Sequence, residues 1–156
     1  MDAGDRLSAV ERMSWRAVLE MCTSIVDGAD ADVDAFGLSG ADYEMLLNLS
    51  EAEHGLRMSE LAARALMSKS RLTYRVDRLE ARGLVVREHC STDRRGYLAR
   101  LTAEGSALLA EATPHHVAGV RDRLVDRLGD EQFVTLGRMA ATVLGRDFDV
   151  ALAETH

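Results

Sequence analysis

Proline occurs once in 156 residues, cysteine twice, and aromatic side chains make up 4% of the chain. A single proline leaves long stretches free to be helical, because proline removes a backbone donor and kinks or ends a helix. Cys22 and Cys90 lie far apart, give no disulfide framework and read as reduced thiols. No apolar run approaches ~18 residues, so no membrane span is expected. The opening MDAGDRLSAVERM is too polar for a secretion signal, and the expected location is cytoplasmic. A G-x-S-x-G turn, a P-loop and a glycine-rich dinucleotide fingerprint are also missing. No catalytic residue, cofactor or metal is therefore assigned, and an enzyme is not expected.

Hydrophobic residues are 47% of the chain, enough for a core without staples and too many for disorder. The charge is uneven. Residues 64–100 hold ten basic side chains against four acids, whereas the rest holds nine against 22. A basic island on an acidic body hints at contact with nucleic acid. A merely solvated helical face would mix the signs more evenly.

Apolar residues at helical spacing (Leu7, Val10, Trp15, Val18, Cys22 and Ile25) predict an amphipathic helix over residues 7–26. The Gly- and Asp-rich DGADADVDAFGLS predicts a loop of about a dozen residues after it. Ser39 and Asp42 form an approximate capping box for a helix through DYEMLLNLSEAE. LRM then reads as a short extended piece, and Ser59 as the N-cap of SELAARALM. In SKSRLTYRVDRLEARG the stripe Leu72, Val76, Leu79 marks the next helix, which Gly83 ends. LVVREH and YLARLT are strands joined by CSTDRRG, with Ser91, Asp93 and Gly96 as turn residues. Thr102 and Glu104 open a long helix interrupted at Pro114, and Gly129-Asp130 precedes a last one. The fold class is mainly α with a small β-hairpin wing.

Short helix, turn, helix and hairpin is the order of a winged helix-turn-helix. The second helix must bury one stripe and show its opposite face to a major groove. Side chains from Ser68 to Arg75, near its start, are those a groove admits. Arg71 and Arg75 suit guanine or phosphate, Thr73 a thymine methyl, and Ser68 and Ser70 phosphates. Arg94 and Arg95 at the hairpin tip suit the narrow, electronegative minor groove. One of the two can instead pair with Asp93 and hold the turn.

The run from Leu56 to Gly105 resembles the MarR family of bacterial transcriptional regulators. The matching features are M-S-E-L-A, S-x-L-T-x-x-V-D-R-L-E-x-R-G-L-V, the D-R-R wing and L-T-x-x-G. The resemblance implies an obligate homodimer on double-stranded DNA with a pseudo-palindromic operator, more often as a repressor. It implies dimerisation segments at residues 1–38 and 102–156 around a DNA-binding lobe at 39–101. By position, Ser68, Lys69, Ser70, Arg71, Thr73, Tyr74 and Arg75 would face the major groove, and Arg94 and Arg95 the minor groove, with Asp93 bracing the wing. Many members carry arginine directly after the L-T pair, where this chain has Tyr74.

The resemblance also implies a small aromatic effector that relieves repression. Trp15, Met21, Tyr43, Met45, His115 and His116 are candidate lining residues, with ordinary dimer core as the plainer reading of Trp15 and the methionines. A thiol-responsive variant of the same fold would use Cys22, but its place late on an apolar stripe favours a buried structural thiol. A metal-responsive variant would start from His89, Cys90 and Asp93, which lack a second ligand cluster. A winged helix that binds only protein is the remaining alternative.

Overall fold

The computed structural model describes residues 6–90 and 93–148; the side chains at positions 90 and 93–95 lie outside that description. The chain divides after His116 into two compact units.

The first unit opens with α1, Ala9–Val33, capped by a reciprocal Ser8–Glu11 box. This helix ends about two turns later than the sequence pattern predicts, and the Asp-rich stretch taken for a loop is mostly its last part. Tertiary contacts override the weak propensity there. Val33 is fully buried, and the Asp30 carboxylate accepts the Gly40 backbone N–H at 2.7 Å. Gly40 packs on Ala29, whose Cβ would lie 3.0 Å from any added Cβ. A 3-10 turn, Asp34–Phe36, and Gly37 in the left-handed region complete the link.

The α2 helix, Gly40–Ser50, starts on the Ser39–Asp42 capping box. It ends three residues earlier than its sequence pattern suggests. Strand β1, Leu56–Arg57, leads straight into α3, Met58–Arg64. Arg57 takes the cap position of α3 without a side-chain capping bond, so Ser59 lies in the first turn and is not the cap. Leu66 then turns the chain with a φ of 54°, a left-handed conformation that L side chains adopt at some cost. Helix α4, Lys69–Ala81, follows from the N-cap Ser68.

Leu72, Val76 and Leu79 of α4 sink into a core shared with Leu46, Leu49, Leu61 and Leu109. Burying each contributes roughly 1.5–3 kcal/mol. Strands β2, Val85–Cys90, and β3, Asp93–Leu101, form the wing, with Val85 opposite Leu101 and a bulge between His89 and Cys90. Strand β1 pairs with the other edge of β3, giving a three-stranded antiparallel sheet in the order β1-β3-β2.

Helix α5, Ala103–Val120, runs through Pro114 without a break. The expected interruption is confined to the missing proline N–H; the regular α pattern gives way only at a π-helical turn, Arg121–Val125. That turn, the short α6 (Asp126–Leu128) and α7 (Asp130–Val143) belong to the second unit, which begins at Val117 in the last part of α5, with Gly129 between α6 and α7. Within it Gly137 lies against the Phe148 ring, where a Cβ would crowd the ring at 2.8 Å.

Candidate nucleic-acid interface

The start of α4 carries no acid, and its cap is a serine. Ser68 Oγ accepts the Arg71 N–H at 3.4 Å and lies 3.3 Å from Ser70 Oγ. Lys69, Ser70, Arg71, Thr73 and Tyr74 are all exposed. Among the described residues neither Lys69 nor Arg71 has an ion pair, so both cations are available to a polyanion. Thr73 donates its hydroxyl to the Lys69 carbonyl at 2.9 Å, which leaves its methyl as the free group. Tyr74 is 64% exposed, with the Arg78 guanidinium 6.0 Å from its ring centre. An exposed face of two free cations, hydroxyls and one phenol can bind phosphates and read base edges.

Other arginines of the basic island hold the lobe together. Arg75 turns away from the exposed face. Its guanidinium donates to Asp42 Oδ1 at 2.9 Å and to Ser39 Oγ at 2.8 Å, and Asp42 is the one buried charged residue of the described core. Burial alone pushes the Asp42 carboxyl up; hydrogen bonds from Ser39 and Arg75 outweigh it and hold the group below its ordinary range. Arg82, next to the end of α4, donates to the Gly37 and Phe36 carbonyls at 2.6 and 3.1 Å. Arg87 on β2 binds both Asp77 and Glu80, tying the wing to α4; the bond to Glu80 lowers the Glu80 carboxyl. The helix is thus fixed at its middle, at its end and on its wing side while its first turns stay open.

A family model described as the MarR family matches residues 36–96, which run from the end of the α1–α2 link through α2, β1 and the helix-turn-helix to most of the wing. Sco3205, a MarR family regulator from Streptomyces coelicolor solved in complex with DNA, is 39% identical and superposes with a TM-score of 0.86 over 89% of each chain. AbsC, a MarR family regulator from the same organism, is 39% identical with a TM-score of 0.82, covering 90% of this chain and 99% of its own. PecS from Dickeya dadantii is 31% identical over 118 residues, 74% of this chain and 71% of PecS. The chain belongs to the MarR family.

Within this MarR chain the residues expected at the wing tip, Arg94 and Arg95 with Asp93 as brace, lie outside the described side chains, and Ser91 outside the described residues. Next to them the His89 and Tyr97 rings pack at 4.5 Å across the two strands. Among the described residues no group of three His, Cys, Asp or Glu side chains is placed to hold a metal. No helix among them is long and apolar enough to cross a membrane.

The structure divides the candidate effector residues. Tyr43 and His116 stack with ring centres 4.3 Å apart, and Tyr43 donates to Thr113 Oγ1 at 3.3 Å. His116 Nδ1 lies 3.7 Å from Asp32 and has no hydrogen-bond partner among the described residues, while its Nε2 is 4.0 Å from Glu44. His115 meets the Phe36 ring edge-on at 5.2 Å. Met45 is fully buried in the lobe core, Met21 is half-buried, and Trp15 is exposed on the first half of α1. At 1.5 Å per residue, Trp15 stands about 25 Å along α1 from Asp32. Cys22 is exposed in the single chain, contrary to the buried thiol expected from its stripe. The stripe is real, but among the described residues of its own unit nothing buries that part of α1.

Sequence reasoning missed Asp42, Arg82 and Arg87 as the residues that hold the reading helix. A signal was present for Asp42. A capping box uses one carboxylate oxygen (here Oδ2, bound by Ser39), and the second needs a partner once buried.

Proposed function

We propose that this MarR family chain is a homodimeric, sequence-specific regulator of transcription that binds a pseudo-palindromic operator in double-stranded DNA. It acts as a repressor, and a small aromatic effector relieves it. Residues 39–101 form the DNA-binding lobe, and residues 1–38 and 102–156 supply dimerisation helices. Ser68 and Ser70 bind phosphate; Lys69, Arg71, Thr73 and Tyr74 face the major groove; Arg94 or Arg95 enters the minor groove, with Asp93 bracing the other. Arg75 acts from behind, by holding α4 to α2. The observation that carries this reading is the acid-free, exposed start of α4 with Lys69 and Arg71 unpaired among the described residues.

The apolar stripe of α1, exposed at Val10, Trp15 and Val18, supports the homodimer. The Tyr43–His116 and Phe36–His115 ring contacts support the effector reading. The protein is cytoplasmic and has no catalytic role. Titration with a duplex operator selected in vitro tests the reading. Several phosphate contacts give an affinity that falls steeply with salt, with a slope of about −0.9 per phosphate neutralised. Salt-independent binding to a protein, with none to DNA, would establish the interaction-module alternative instead.

A further inference from the structure

The L-T-x-x-G motif at Leu101, Thr102 and Gly105 lies where α4, the wing and α5 meet. Leu84 is the pin of that joint. Its N–H closes the end of α4 on the Leu79 carbonyl at 3.0 Å, and its own carbonyl accepts the Thr102 N–H at 3.1 Å. The Thr102 hydroxyl donates to the Gly83 carbonyl at 2.7 Å and accepts the Gly105 N–H at 3.0 Å. One hydroxyl thus caps α5 and grips the turn that leaves α4. Gly105 is buried against Leu84, where any Cβ would collide with the Leu84 carbonyl oxygen. Val85 pairs with Leu101 immediately beside it, so the strand ends enter the same joint.

We propose that Thr102 is a positioning residue that makes α4, the root of the wing and the head of α5 move as one body. A displacement of α5 is then delivered directly to the DNA-reading face. The inference rests on the DNA-binding reading above. It assigns regulation to α5, which continues to Val120, beyond the boundary of the first unit.

The test uses the full-length chain, an operator selected by the wild-type protein from random duplexes, and a scrambled duplex as the nonspecific probe. Thr102→Val removes the hydroxyl at nearly constant shape. Thr102→Asp keeps an acceptor for the Gly105 N–H but has no proton for the Gly83 carbonyl, so it separates capping from grip. Both variants are expected to lower the ratio of operator to nonspecific affinity about tenfold, the size of one poorly met base pair. The nonspecific salt slope should match that of the wild type, and Thr102→Ser should restore the ratio. A ratio unchanged in both variants, with only a lower thermal midpoint, would reduce Thr102 to a helix cap and overturn the proposal. A reduced salt slope in Thr102→Val would make Thr102 a phosphate contact and overturn it too. A wild-type chain that selects no operator and binds no duplex removes the DNA reading itself, a result distinct from either.

Discussion

Leu72, Val76 and Leu79 of α4 are at most 1% exposed, whereas Val10, Trp15 and Val18 of α1 are 66%, 56% and 46% exposed. Both helices carry apolar residues at three- and four-residue spacing, and both have polar opposite faces. The difference lies in what covers them. The α4 stripe finds α3 and β2 within its own unit and shares one core with Leu46 and Leu49 of α2. The first half of α1 finds no such cover among the described residues of its own unit, as expected of a helix whose partner is a second copy. Amphipathicity therefore says that a stripe is covered, and only the packed chain tells whether the cover is internal.

Five substitutions press on that contrast. Leu72→Ala should cost about 2–5 kcal/mol of folding stability, as buried leucine truncations do, read from urea unfolding. The loss should not depend on protein concentration. A smaller loss would mean that the α4 stripe is less closed than its burial indicates.

Asp42→Asn should cost about 1–3 kcal/mol by leaving Arg75 without its carboxylate. It should also flatten the acid limb of stability. The folded-state pKa of Asp42 lies below its unfolded value, so its contribution is complete above the unfolded value of about 4. That contribution is lost as pH falls through the depressed folded value. Unfolding measured from pH 6 to pH 2 in both proteins checks the sign.

The exposed and inward arginines of α4 should separate next. Arg71→Gln should weaken operator binding by about 1 kcal/mol or more and make the salt slope shallower by about one unit. Arg75→Gln should weaken binding while leaving the slope intact. Combined with Asp42→Asn, it should do little further harm, because the two act as one contact. An equal drop in slope for both would put Arg75 in the groove.

The smallest effect on the lobe belongs to α1. Val18→Ala should leave the urea midpoint within about 0.5 kcal/mol at high protein concentration. Sedimentation at decreasing concentration should nevertheless show earlier dissociation than for the wild type. A variant that dissociates like the wild type would remove Val18 from the dimer face.

Much of the lobe is legible in the sequence because its signals are local. The Ser39–Asp42 box, the α4 stripe, Gly83 and the hairpin all depend on residues a few positions apart. The end of α1 is not legible in this way. Residues 27–32 look like a loop by composition, and they stay helical because Val33 and Asp30 bind partners brought in by α2. The role of Arg75 is hidden for the same reason, since its carboxylate stands 33 positions earlier. Arg71 and Arg75 read alike in the sequence, four residues apart on one helix, until the fold sends one outward and the other into α2.

The close approach of Gly105 to Leu84 has a consequence for how this chain can vary. Gly83 has a left-handed φ of 72° but open space around it, so asparagine, which tolerates that conformation, can stand in for it. Gly105 is an ordinary helical residue by its dihedrals and still has no room for a single carbon. In a library sampling every amino acid at both positions, survivors should include several residues at 83 and only the parental one at 105. Drift and engineering alike can rewrite the reading face, while the seam behind it is locked to one letter.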